Sequence, residues 1–225
     1  MIKLIATDMD GTLLNAAHEI SEENINAIKY AQSKGITVVI ATGRAFYEAS
    51  TPMAETDLKV PYICLNGAEV RDESFNIMNT SHLNHELVER IKAILDREDV
   101  YYQVYTNRGI YTEDPTRDLD IYLDIARNAG QQGDVEKIKA GIQQRIDNGT
   151  LKIVDNYKDI EDIPGELIMK VLAFNPDLEK IERIGQELSA ISSLAVSSSS
   201  RGNLEITHSD AQKGIALETI ANQLR

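Results

Sequence analysis

Asp8 and Asp10 stand one residue apart, directly after the short apolar run Lys3-Leu-Ile-Ala-Thr7 and just before Gly11-Thr12-Leu13-Leu14. A run this short predicts a buried strand. In α/β proteins ligands gather at the carboxyl ends of strands. Both carboxylates are then expected side by side at a site mouth. So close together they repel one another unless a cation lies between them. The chemistry that suits such a pair is phosphate chemistry: a nucleophile, a general acid/base and a magnesium ion. A bare Asp-x-Asp next to glycine is more often only a polar turn. Its place at a strand end is what favours the chemical reading here.

Three further spots could serve the same site. Thr42, Gly43 and Arg44 follow the run Ile36-Thr-Val-Val-Ile-Ala41. A hydroxyl and free N–H groups at a helix start make an anion site. Taken alone, a capping turn explains them equally well, and Arg44 reads as a structural or electrostatic residue. Asn66-Gly67 ends the apolar segment Val60-Pro-Tyr-Ile-Cys-Leu65. It reads as a tight turn, or as a contact to substrate. Lys213-Gly214 opens the last helical segment, and its lysine could set a point charge on a phosphate. The four histidines do not cluster, so a zinc site is not expected.

These residues need elements to hold them. Up to about residue 70 strand and helix alternate. Ser21 caps a helix in which Ile25, Ile28 and Ala31 keep helical spacing, and Gly35 ends it. Another helix is expected from Arg44 and a third strand over 60–65. This β-α-β-α-β order predicts an α/β fold with a doubly wound, Rossmann-like core. Beyond residue 70 hairpins mix with helices. Ala68–Arg71 and Ser74–Ile77 are expected to pair about Asp72-Glu73, and Tyr101–Tyr105 with Gly109–Thr112 about Asn107-Arg108. Helices are expected at 85–96, 117–128, 135–146 and from Asp177, and strands at 167–174, 194–197 and 204–207. Such a mixture predicts an inserted α+β domain over 80–208, with 1–79 and 209–225 forming the core. The final helix, Lys213 to Leu224, returns to that core.

The totals narrow the function. The chain has 225 residues, 42% hydrophobic and 26% charged, with a net charge of −13. That charge argues against a nucleic-acid or anionic-membrane partner. A phosphate must therefore be held by local cations and N–H groups rather than by the overall field. Cys64, the single cysteine, reads as a small buried hydrophobe and excludes an internal disulfide. The N-terminal apolar run is too short for a signal or a membrane span, so a cytoplasmic location is expected.

Asp8-Met-Asp-Gly-Thr-Leu-Leu14, Ala41-Thr-Gly-Arg44 and Lys213-Gly-x-Ala-Leu217 occur in an order and spacing that resemble the haloacid dehalogenase superfamily, and more closely its Cof-type phosphatases with a C2B cap. The resemblance spans essentially the whole chain. It implies a phosphatase acting on small phosphorylated metabolites: Asp8 as nucleophile, Asp10 as acid/base, and Mg²⁺ bound by Asp8 and, through its carbonyl, by Asp10. It further implies that Met9, Thr42, Gly43 and Lys213 bind phosphate under a closing cap; Arg44, Asn66 and Gly67 stay candidates for substrate contact from their own positions. The family's later Gly-Asp-x-x-Asn-Asp motif is absent from these 225 residues. The implied consequences are weaker metal binding and turnover, and a first strand whose free edge could associate. The alternatives are a protein that binds phosphate with little turnover, and a phosphomutase.

Overall fold

The computed structural model describes residues 2–128 and 134–223. It divides into two compact units, residues 1–81 with 210–225 and residues 82–209. The first holds a five-stranded sheet built from β1 (Leu4–Thr7), β2 (Thr37–Ala41), β3 (Tyr62–Cys64), β4 (Glu69–Arg71) and β5 (Ile77–Thr80), in that spatial order. β1, β2 and β3 run parallel, while β4 and β5 add antiparallel. The unbroken apolar stretch of β2 has the cause expected of a strand covered on both faces. Val38 and Ile40 pack with Met9, Ile28, Met53 and Tyr62 on one face. Val39 and Ala41 pack with Ile63, Ala216 and Ile220 on the other. Burying aliphatic side chains of this size contributes about 1.5–3 kcal/mol each.

α1 (Glu22–Ser33) links β1 to β2. Ser21 Oγ accepts the Asn24 N–H at 3.2 Å, and Gly35, at φ +73°, lets the chain turn away. α2 (Phe46–Ser50) follows β2 and starts two residues later than the sequence predicts. α8 below takes up Lys213–Gln223, and Leu224 lies outside the described residues.

Two expectations for this unit need correction. β1 is not buried. Ile5 is 40% exposed, and among the described strands β1 pairs only with β2, so it has the free edge expected from the sequence. The β4–β5 connection is also longer than a two-residue turn. The Asp72 carboxylate accepts the N–H groups of Ser74 and Asn76, each at 2.8 Å, and organises a loop over 72–76. That shifts the second strand to Ile77–Thr80. Within the loop Phe75 takes φ +69° and sets its ring 5.3 Å from Phe46 and 6.1 Å from Tyr62.

The second unit is α+β. Its six-stranded sheet has the order β10 (Leu194–Ser197), β11 (Asn203–His208), β9 (Ile168–Phe174), β6 (Tyr101–Thr106), β7 (Gly109–Thr112), β8 (Leu151–Ile153). All pairs are antiparallel except β7 with β8. α3 (His85–Arg97) and α7 (Leu178–Ser189) cover one face, through Leu87, Ile91, Leu95, Ile181, Ile184 and Leu188. α4 (Pro115–Asn128) and α5 (Val135–Asp147) pack against each other. α6 (Lys158–Glu161) is a single turn before β9. No helix among the described residues is long and apolar enough to cross a membrane.

Candidate active site

The parallel register sets Thr7 opposite Ile40. Carried on by one residue, it sets Asp8, just past β1, level with Ala41, the last residue of β2. The chain after Asp8 makes one wide turn over Met9–Leu13, closed by Leu13 N–H on the Asp8 carbonyl at 3.3 Å and Leu14 N–H on the Met9 carbonyl at 2.9 Å. Gly11, at φ +70°, allows the reversal. The middle residue decides where the acids go. Met9 is fully buried and anchors the turn in the core, leaving Asp8 half-buried and Asp10 exposed.

Each acid has its own cation. Lys213, the first residue of α8, places Nζ 2.7 Å from Asp8 Oδ1. Arg44 grips Asp10 with two prongs, Nε donating to Oδ2 at 2.9 Å and Nη2 to Oδ1 at 2.5 Å. A planar fork of this kind fixes a carboxylate's orientation as well as its place. His18 Nδ1 lies 4.0 Å from the same oxygen of Asp10. The sequence reading missed it. It sits in the loop between Leu14 and Ile20, which bridge as in a hairpin, and a lone histidine in a turn carries no spacing signal.

The other predicted residues hold the frame. Thr42 is buried, and its Oγ1 accepts the Arg44 N–H at 3.1 Å within the turn; it does not cap α2, whose first residue follows Ala45. The hydroxyl keeps its own proton to donate. The Leu65 N–H donates to the Arg44 carbonyl at 2.9 Å, and the Asn66 N–H to the Thr42 carbonyl at 3.1 Å. The turns after β2 and β3 are thus stitched together, with Gly43 inside the first. Leu65, Asn66 and Gly67 all have positive φ, at +49°, +61° and +109°. For leucine this is a strained conformation, of the kind that tends to collect at functional sites.

Gly67 has a role that its turn reading did not supply. A Cβ built there would fall 2.5 Å from the carbonyl carbon of Gln212, the residue before Lys213. Only glycine lets the two backbones meet, and that meeting sets where α8 begins. Gly67→Ala is therefore expected to push Lys213 off Asp8. Phosphate hydrolysis should fall at least tenfold, with stability lower by about 1–3 kcal/mol from the left-handed φ alone. Steady-state kinetics and thermal melting check both parts. Cys64, next to this turn, is fully buried, and desolvation pushes its thiol well above the ordinary range, so it is no nucleophile.

Among the described residues no group of three or more His, Cys, Asp or Glu is placed to hold a metal. The Asp8 carboxylate with the Asp10 carbonyl does fit magnesium, which usually takes one or two protein carboxylates and completes its shell with water and phosphate oxygens. Charge points the same way. Lys213 and Arg44 only balance Asp8 and Asp10, so an arriving phosphate dianion needs further positive charge.

The sequence profile of the haloacid dehalogenase-like hydrolases matches residues 5–225. Phosphatase YwpJ of Bacillus subtilis (strain 168) is 31% identical over 225 residues, 99% of this chain and 79% of that protein. The 5-amino-6-(5-phospho-D-ribitylamino)uracil phosphatase YwtE of the same organism is 32% identical over 222 residues, 98% of this chain and 77% of that one. A solved haloacid dehalogenase-like hydrolase from B. subtilis superposes with a TM-score of 0.85 at 31% identity, over 99% of this chain and 79% of its own. That likeness runs from the first strand to the last helix, and the chain belongs to the haloacid dehalogenase-like hydrolases, as a phosphoric monoester hydrolase.

Proposed function

We propose that this protein hydrolyses small phosphorylated metabolites through an aspartyl-phosphate at Asp8. The observation that carries the reading is the 2.7 Å contact of Lys213 with Asp8, beside an Asp10 held in place by Arg44. Lys213 orients one oxygen of Asp8 and leaves the other to attack phosphorus. The P–O bond to the leaving group breaks as the bond to Asp8 forms, and Asp10 protonates the departing oxygen. Asp10 then takes a proton from the water that attacks the same phosphorus, and inorganic phosphate leaves. Arg44 takes one lone pair on each oxygen of Asp10, which leaves a second lone pair on each to carry the proton.

Thr42, with the N–H groups of Met9 and Gly43, would take the remaining phosphate oxygens, and Lys213 would share the charge. Mg²⁺, held by the Asp8 carboxylate and the Asp10 carbonyl, would neutralise the phosphoryl group. Asn66 and Gly67 are assigned to the frame, through the hydrogen bond to Thr42 and the contact with Gln212. The residues of 80–208 are read as the cap that selects the substrate. YwtE is a phosphatase of a ribitylaminouracil phosphate, which makes phosphorylated polyols and sugars the first class to try.

A second reading, phosphate binding with little turnover, draws on the lack of a third carboxylate near Asp8 and Asp10 among the described residues. Phosphate release from an aryl phosphate and from a panel of sugar and polyol phosphates separates the two. We expect release with Mg²⁺ and at least a hundredfold loss when EDTA removes it. Activity that EDTA leaves untouched would contradict the assignment of magnesium to this site. Tight phosphate binding without release would favour the second reading.

A further inference from the structure

The reaction proposed at Asp8 leaves one neighbour of the site without a task. His18 approaches Asp10 from the loop between Leu14 and Ile20, with Nδ1 4.0 Å from Oδ1. That distance is too long for a hydrogen bond. The ring makes none among the described residues, and it is 73% exposed. A histidine exposed in a turn is more often of no consequence. This one is held against the acid by the chain around it. Asn15 organises the loop: its Oδ1 accepts the Ala17 and Glu19 N–H groups at 2.8 and 3.0 Å, and its carbonyl accepts the His18 N–H at 2.9 Å. Below the loop, the Asn24 amide donates to the Leu13 carbonyl at 2.9 Å and ties the stem to α1. His18 itself takes φ +60°, a left-handed conformation that histidine accepts better than most residues. The ring is thus carried to Asp10 by the backbone, with its hydrogen-bonding atoms still to offer.

What Asp10 does decides what the ring can meet. To protonate the leaving oxygen, an oxygen of Asp10 must come within about 2.7 Å of it. Oδ1 keeps a lone pair beyond the Arg44 prong. A leaving group served there passes its next atoms beside His18. Asp10 and Arg44 neutralise each other at that spot, so a charged substituent gains little from either. A hydroxyl both donates and accepts. It can therefore pair with either ring nitrogen, whichever one holds the proton.

We infer that His18 is a specificity-determining residue whose ring binds a hydroxyl on the carbon next to the phosphate ester, which selects 2-hydroxyalkyl phosphates as substrates. This role rests on the reaction proposed at Asp8.

The test compares kcat and KM of the whole protein, with Mg²⁺, on glycerol 3-phosphate and propyl phosphate. The two esters share a three-carbon chain and differ in their hydroxyls. The wild type should prefer glycerol 3-phosphate at least tenfold in kcat/KM, chiefly through KM. His18→Ala should lose at least tenfold on glycerol 3-phosphate and about threefold at most on propyl phosphate. His18→Asn keeps a donor and an acceptor near the position of Nδ1 and tolerates the same φ, so it should recover much of the preference. Asn15→Ala keeps the ring but unbraces the loop, and should behave as His18→Ala does. A disturbed Asp10 would slow both esters alike, because each leaves as an alkoxide; the split between them reports the ring's own contact. Equal losses on the two esters, or no loss in His18→Ala, would overturn the inference. So would a wild type that cleaves nitrophenyl phosphate without preferring glycerol 3-phosphate, and the reaction at Asp8 would then stand. Failure to cleave any of the three esters would overturn that reaction, and the role of His18 with it.

Discussion

Asp8→Asn should abolish phosphatase activity, by about 10⁴-fold or more in kcat, while leaving the fold intact. The amide has the carboxylate's shape but not its lone-pair nucleophilicity. Its oxygen can still accept from Lys213, which now lies 2.7 Å from Oδ1, so the start of α8 should not move. The side chain is half exposed, and its exchange for a neutral isostere should shift stability little. Phosphate itself should bind no worse, because one negative charge has left the site. Kinetics, melting and a phosphate titration of the same preparation check all three. An active Asp8→Asn protein would remove the nucleophile from the proposal.

Asp10→Asn should cost about 10²–10⁴-fold, and the loss should depend on the leaving group. An alkoxide needs a proton as it departs, whereas a nitrophenolate hardly does. The variant should therefore lose far more activity on a sugar or polyol phosphate than on nitrophenyl phosphate. With the aryl substrate the second step then suffers most, since water loses its base. The phosphorylated enzyme should accumulate, seen as a burst of nitrophenolate before a slow steady state. Arg44 loses its ionic partner in this variant, yet the amide oxygen still accepts one prong of the fork. Equal losses on both substrates would argue that Asp10 only positions its neighbours.

What could be read ahead of the structure was whatever local chemistry decides. The β-branched run Thr37–Ala41 announces a strand covered on both faces, and Ser21 with Gly35 announces the ends of α1. The order β-α-β-α-β then fixes a parallel core, and the later hairpins an α+β unit. The carboxylate pair was legible because two acids at a strand end are hard to explain otherwise. What was not legible depends on distant residues meeting. The fork of Arg44 on Asp10 spans 34 residues. The approach of Gly67 to Gln212 joins segments that have no sequence relation, so a glycine needed for room reads as a glycine needed for a turn. β8 and α6 were missed because three or four residues are too few to show a period. The loop at 72–76 was misjudged because Asp72 was read as a turn residue rather than as the acceptor that organises a wider loop.

The claim at the centre of this account is a covalent bond between Asp8 and phosphorus. The most direct measurement quenches the 225-residue protein during turnover of an aryl phosphate with Mg²⁺, reduces the mixture with borohydride, and maps the peptide around the first strand by mass spectrometry. An aspartyl-phosphate is reduced to homoserine, whereas a free carboxylate is not. The account predicts homoserine at position 8, dependent on substrate and absent at position 10. Continued phosphate release with Asp8 unreduced would contradict it.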